Sequence, residues 1–240
     1  MGVRMPLSVV LILVLSGLQA VVFAQSGEPA VVKLDQDFKF RDGIFLDFNQ
    51  VRNNSPVPKA RILTTVPYND RTFFDKVLEE DVISYFDDFG LRKRVKKENI
   101  WGYAKNGNLY IQLDNNFNRI SIVGGICHFI GMITTYDTRY VDPYYRFNYP
   151  YYYRYYPGYY PTETYTKTEM RQFILDFETG KVMEYNTQSI EMALMRDPQL
   201  YDEYVRLRNK KKKQLKFLYI RKFNERNPVY LPKGQNSPLR

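Results

Sequence analysis

The chain has one cysteine, one histidine and one tryptophan in 240 residues. Each scarcity removes a class of chemistry. A lone thiol, Cys127, closes no internal disulfide. One histidine and one cysteine do not make a zinc site of several imidazole and thiolate ligands. His128 is the immediate neighbour of Cys127, and adjacent side chains of a strand point to opposite faces, so the two cannot form a Cys-His dyad. A Ser-His-Asp triad would have to use His128. That residue sits in the apolar run "ICHFIG" and reads as a satisfied core or edge histidine, with Cys127 as a buried, small hydrophobe. Strand-helix-strand alternation with a glycine-rich phosphate loop is also missing, which argues against a doubly wound nucleotide fold. Carboxylates cluster at Glu79, Glu80 and Asp81 and at Asp87 and Asp88. The second pair falls in a turn, where aspartate is favoured for its own local hydrogen bonds. No catalytic, metal-binding or cofactor-binding residue is assigned.

Long apolar runs are confined to the start. "MGVRM", then "PLSVVLILVLSGLQAVVF", then "VFAQ" has the basic, apolar and small-residue parts of a cleaved secretory signal. Val22 and Ala24 take the small positions, so residues 1–24 are read as a signal peptide removed before Gln25. No cysteine follows the cleavage site, so a lipid-anchored start is not indicated. The next best run, Ile120 to Ile133, is interrupted by Ser121, three glycines and His128, so the mature chain has no transmembrane span. The expected location is the periplasm or the cell surface.

Residues 25–240 suit a single domain. "DGIFLDF" reads as a strand, Phe48 to Asn54 as a helical turn stopped by "NNSPVP", and "KARILTTV" as a second strand. "DRTFFDKVLEED" fits helix or strand. Three hairpins follow: "VISYF" with "LRKRV", "IWGYA" with "LYIQL" across Asn106-Gly107, and "FILDF" with "KVMEY" across Gly180. "FNRISIVGGICHFIGMITTY" reads as one long strand bent at Gly124-Gly125. A helical segment of about 187–225 opens with "TQSIEMALMR" and continues from an Asp197 cap and Pro198 as one long helix to about Asn224. Its stripe is Leu200, Tyr204, Leu207, Leu215 and Leu218, and Lys211 on that stripe implies a kink or a wet stretch. The tail 233–240 is expected to be disordered. The fold class is α+β: an antiparallel, hairpin-rich sheet with C-terminal helices and a tyrosine-rich insertion at about 137–167.

"DGIFLDFNQVRNNSP", "ENIWGYAKNGNLYIQL", "FILDFETGKV", "DPQLYDEY" and "RKFNERNPVYLP", in this order, resemble an uncharacterised family of exported proteins from Bacteroidetes-type bacteria. The resemblance spans most of the mature chain outside the tyrosine-rich insertion. It implies export and a shared fold. It carries over no functional residue.

Two surfaces stand out. "YYRFNYPYYYRYYPGYY", from Tyr144 to Tyr160, has tyrosine at ten of seventeen positions. Phenol hydroxyls need partners and prolines break regular structure, so it is not core. It fits a low-complexity loop, a self-associating tract, a segment at headgroup level, or a contact surface for a partner or glycan. The candidate contacts are Tyr144, Tyr145, Tyr151, Tyr152, Tyr153, Tyr155, Tyr156, Tyr159 and Tyr160. The second surface is "RLRNKKKKQLK" in a chain with 35 basic and 26 acidic residues, net +9. It is either the solvated back of an amphipathic helix or a contact for an anionic surface through Arg206, Arg208, Lys210, Lys211, Lys212 and Lys213. Export makes nucleic acid a poor partner; an envelope protein, a glycan or anionic lipid fits better. The reading is an exported, non-enzymatic binding or structural protein of the bacterial cell envelope. The alternative is a glycan-directed enzyme or a carbohydrate-binding module using the tyrosine-rich loop. The only tryptophan, Trp101, is expected on the core face with Tyr103, opposite Ile100 and Gly102.

Overall fold

The structure is a computed structural model that describes residues 31–140 and 162–233. Residues 1–30, with the segment expected to be a signal peptide, the tyrosines from Tyr144 to Tyr160 and the tail from residue 234 lie outside the described residues. The fold is α+β. In chain order its strands are β1 (Val31–Lys33), β2 (Gly43–Phe45), β3 (Ile62–Leu63), β4 (Val82–Phe86), β5 (Arg92–Lys96), β6 (Gly102–Lys105), β7 (Asn108–Leu113), β8 (Asn116–Ile122), β9 (Ile126–Tyr140), β10 (Thr162–Asp176), β11 (Val182–Glu184) and β12 (Tyr230–Pro232). Its α-helices are α1 (Phe48–Arg52), α2 (Phe73–Val77), α3 (Thr187–Leu194), α4 (Pro198–Val205) and α5 (Asn209–Arg226). The main sheet has the order β11-β10-β9-β8-β7-β6-β2, a smaller sheet has β3-β4-β5, and β1 pairs with β12. All pairings are antiparallel.

Alternation along the strands explains why both faces of the main sheet are covered. Phe45, Ala104, Cys127 and Leu175 point into one cluster, closed by Phe38, Phe40, Val51, Phe177 and Leu231. Their neighbours Ile44 and Tyr103 point the other way, against Ile62, Phe73, Phe74, Val77 and Ile83 of the small sheet and α2. At the far end of that second face, Ile126 and Ile174 meet Ile190, Leu194, Leu200, Tyr204, Ile220 and Phe223 of the C-terminal helices.

Three sequence expectations need correction. Gly124-Gly125 is a reversal, not a bend: β8 ends at Ile122 and pairs antiparallel with β9. A side chain on Gly124 would lie 2.5 Å from Asn224 of α5. That open space lets Asn224 act as a strand partner, its Oδ1 accepting from the Ile126 N–H at 2.8 Å and its Nδ2 donating to the Ile126 carbonyl at 2.9 Å. The long C-terminal helix is broken in two. α4 starts as expected, with Asp197 accepting from the Leu200 N–H and Pro198 in the first turn, but it ends at Val205. Arg208 is extended and α5 restarts at Asn209. The break lets Tyr204 and Tyr219 pack at 4.8 Å, and it turns Lys211 to solvent instead of onto the stripe. The insertion is also shorter than expected, because β9 and β10 stay paired out to Tyr140 and Thr162.

Candidate functional site

The expected Cys127–His128 geometry holds. Cys127 is buried, its Sγ 3.2 Å from the Gly124 carbonyl, and burial pushes its thiol up to about 12. Such a thiol stays protonated and unreactive. His128 faces the opposite cluster. Its Nε2 lies 3.2 Å from Gln172 Oε1, and its ring meets Tyr185 and Phe217 at 5.1 and 4.7 Å. Burial, helped by the nearby Lys216 charge, holds it below the ordinary histidine range against the Gln172 hydrogen bond. The carboxylate clusters also have local explanations. Asp87 accepts from the Phe89 and Leu91 N–H groups and pairs with Lys93, Asp88 pairs with Arg61, and Glu79, Glu80 and Asp81 are exposed. Among the described residues, no group of three or more His, Cys, Asp or Glu is placed to hold a metal ion.

The basic surface is only partly what the sequence implied. Arg206, Arg208, Lys210, Lys211 and Lys213 are exposed. Lys212 is turned inward: its Nζ lies 2.7 Å from Glu191, and its backbone carbonyl accepts from the Tyr204 hydroxyl. It belongs to the packing of α5 on α3 and α4, so it is corrected from a surface contact to a structural cation. Lys216 does the same, donating to the Tyr185 carbonyl at 2.9 Å and lying 3.8 Å from that ring's centre. Exposed Lys210 and Lys211 lie in the first turn of α5 and Lys213 just beyond it, and that turn has no acidic residue and no side-chain cap. Cations at a helix N-terminus oppose its dipole, so this arrangement costs stability.

β9 and β10 form the most conspicuous feature near the tyrosines. Each is fifteen residues long and they pair along their whole length. Their outer neighbours stop early: β8 reaches Phe129 and β11 reaches Phe173. Beyond them the Tyr185 N–H still donates to the Gln172 carbonyl and Asp114 still accepts from the Thr134 N–H, but from Thr135 and Lys167 outward no third strand flanks the pair among the described residues, a ribbon that at 3.3 Å per residue is about 20 Å long. Strand alternation gives the pair two unlike faces. Ile130, Met132, Tyr136 and Met170 expose an apolar strip. Lys167, Glu169, Arg171 and Glu184 form a ladder of ion pairs on the other face. Charges of this kind keep an exposed ribbon from pairing with other strands.

A cavity of about 630 Å³ opens beside α1, lined by residues that include Asp47, Phe48, Glu98, Trp101, Gln112 and Asp114. Trp101 packs against the main core cluster, but it is only partly buried and lies on the face opposite Tyr103. Strict alternation would put it with Tyr103. It instead packs against the cluster of Ala104, because the chain is irregular before Gly102, where any Cβ would lie 2.2 Å from the Tyr110 carbonyl oxygen. The Trp101 and Phe48 rings are 5.6 Å apart at 38°. Local capping positions the acids. Asp47 accepts from the Gln50 N–H at the start of α1, while Gln50 accepts back from Leu46. Asp114 and Asn115, both at positive φ, make the β7–β8 turn, and Asp114 accepts from the Thr134 N–H of β9 at 2.6 Å. Glu98 pairs with Lys96. Gln112 Oε1 is buried with no hydrogen-bond partner. Of the lining residues the sequence singled out Trp101 and placed Phe48 at the start of a helical turn; it carried no signal for Gln112.

Nothing matches this chain among family models, curated proteins or solved structures. The resemblance to exported Bacteroidetes-type proteins therefore enters only the proposal below.

Proposed function

We propose that this is an exported, non-enzymatic binding protein of the bacterial cell envelope that holds its tyrosine-rich segment out to a protein partner on the β9–β10 ribbon. The observation that carries this reading is the ribbon. A two-stranded extension that outruns its flanking strands is costly to order, and beyond Ile133 it adds nothing to the core clusters of the described residues. It reaches toward the residues between Tyr140 and Thr162, where the tyrosines lie in the sequence. The apolar strip of Ile130, Met132, Tyr136 and Met170 supports a protein partner over a sugar, since methionine adapts to apolar surfaces. Tyrosine adds rigid contact area at low entropic cost. The N-terminal signal pattern and the family resemblance support export.

The test has two arms. Fractionation with N-terminal sequencing of the mature protein should find it outside the cytoplasm and starting at Gln25. A photo-crosslinking residue at Met170 should then trap one discrete envelope protein, while the same residue at exposed Glu225 should not. Cytoplasmic protein with an intact Met1 sinks the export half. Equal trapping at both positions, or none at either, sinks the binding half.

A further inference from the structure

We infer that the cavity beside α1 is a binding site for a neutral saccharide laid against Trp101. It is separate from the ribbon and does not depend on its function. The inference starts from what the lining offers. Trp101 and Phe48, their rings tilted 38° to one another, provide an apolar wall. Around it the charged groups are Asp47, Glu98 and Asp114, and among the described residues no lysine or arginine lines the cavity itself; Lys96 pairs with Glu98 from outside the lining. In a chain of net charge +9 that bias is local and opposite to the average. It disfavours an anionic ligand.

The remaining polar groups define the ligand further. Carboxylates only accept hydrogen bonds, and Gln112 in the lining holds an oxygen that is buried just behind the surface with no donor on it among the described residues. A buried acceptor left unpaired is costly, and its partner must be a hydrogen-bond donor. The site therefore selects a molecule with one apolar face and several donors around its edge. A sugar ring has that form: axial C–H bonds cover one face and hydroxyls ring the perimeter. A simple cation fits less well. The acceptors come from three separate stretches of chain, at Asp47, at Glu98, and at Gln112 with Asp114. Each carboxylate is already partly engaged, by the Gln50 N–H, by Lys96 and by the Thr134 N–H. What is left is spread acceptor capacity, which suits many hydroxyls better than one charge. A volume of about 630 Å³ takes a short oligosaccharide.

Trp101 is the only tryptophan, so its fluorescence reports this cavity alone. The full mature chain is titrated with cellotetraose, maltotetraose, mannotetraose and N-acetylated chitotetraose, with tetragalacturonate and hexalysine as contrasts. The expected result is a saturable emission change with at least one neutral sugar and none with tetragalacturonate. Calorimetry with the responding sugar should show Gln112→Leu weakening it about tenfold, the loss of one hydrogen bond of about 1.4 kcal/mol. The unfolding midpoint of Gln112→Leu should hold or rise, because the substitution removes an unpaired buried acceptor. A merely structural glutamine would give a lower midpoint with unchanged affinity. No response to any neutral sugar at about 10 mM, an affinity too weak to matter, would overturn the inference. So would a response to hexalysine in place of the sugars, or an unaltered affinity in Gln112→Leu.

Discussion

Removing residues 139–163 and joining Thr138 to Thr164 through Gly-Ser-Gly-Ser should leave the domain folded, with little change in stability. The structure sets the magnitude. Two strand pairs are lost, Arg139 with Glu163 and Tyr140 with Thr162. Each backbone hydrogen bond contributes about 1 kcal/mol net, and releasing each ordered residue returns a similar amount. Closing four residues instead of the 21 between Tyr140 and Thr162 favours the variant by about 1.5 kcal/mol. The terms nearly cancel, leaving a change within about 1.5 kcal/mol of either sign. In a chain of this size that is about 6 °C or less in Tm. A core control fixes the scale. Phe129 and Phe173 are buried and stack at 5.5 Å, and Phe173→Ala should cost about 3–5 kcal/mol, or roughly 10–15 °C. Thermal unfolding followed by circular dichroism reads both variants. A truncation that melts like Phe173→Ala, or loses its cooperative transition, would refute the reasoning and put the tyrosine segment in the core.

Three further outcomes are expected. His128 sits below its ordinary pKa because it is buried, so the unfolded state binds a proton more readily; its contribution to stability is complete above about pH 6.5 and is lost as pH falls from there toward the folded value. Wild type should therefore lose more Tm between pH 7 and pH 5 than His128→Gln, and equal losses would remove His128 as the cause. Asp197 is buried, caps α4 and pairs with Arg226 and Asn227, so Asp197→Ala should cost about 3 kcal/mol in urea unfolding; a cost under about 1 kcal/mol would show that the cap acts alone. If the exposed cations of α5 meet anionic lipid, vesicle binding should fade as salt rises and vanish in Lys210→Glu/Lys211→Glu/Lys213→Glu, with Lys212 left in place for Glu191; binding that persists in the triple variant would clear the helix.

How far the sequence could be read follows from how local each signal is. Hairpins are local, and Asn106-Gly107 and Gly180, both at positive φ, make the turns their flanking runs imply. The Asp197-Pro198 cap is local too, and so is the opposition of Cys127 and His128. The failures came where a distant segment decided the outcome. Gly124-Gly125 suits a bend as well as a turn, and what makes it a turn is Asn224, 98 residues away, bonding both backbone groups of Ile126. With the helix from Pro198 broken, Tyr204 reaches both Tyr219 and the Lys212 carbonyl, contacts with residues 8 and 15 positions on that a continuous helix would carry out of reach. Lys212 looked like one of four equal lysines until Glu191 of α3 came beside it.

The cavity is the extreme case of that rule. Its wall needs Phe48 from α1, Trp101 from the approach to β6 and Gln112 from β7. No short stretch of sequence contains two of them. Alternation in "IWGY" pointed Trp101 the wrong way, because the rule assumes that the strand is already regular at that residue. The irregularity adjoins a tight backbone contact: Gly102 lies so close to Tyr110 that no other residue fits there without a shift, while the Trp101 backbone bonds both Phe45 and Gln112. Together these contacts aim the tryptophan without touching any ligand. A Gly102→Ala chain that still folds should therefore lose sugar-dependent fluorescence change even though every lining residue is present. If the cavity were only a packing defect, that substitution would alter stability and leave no binding to lose.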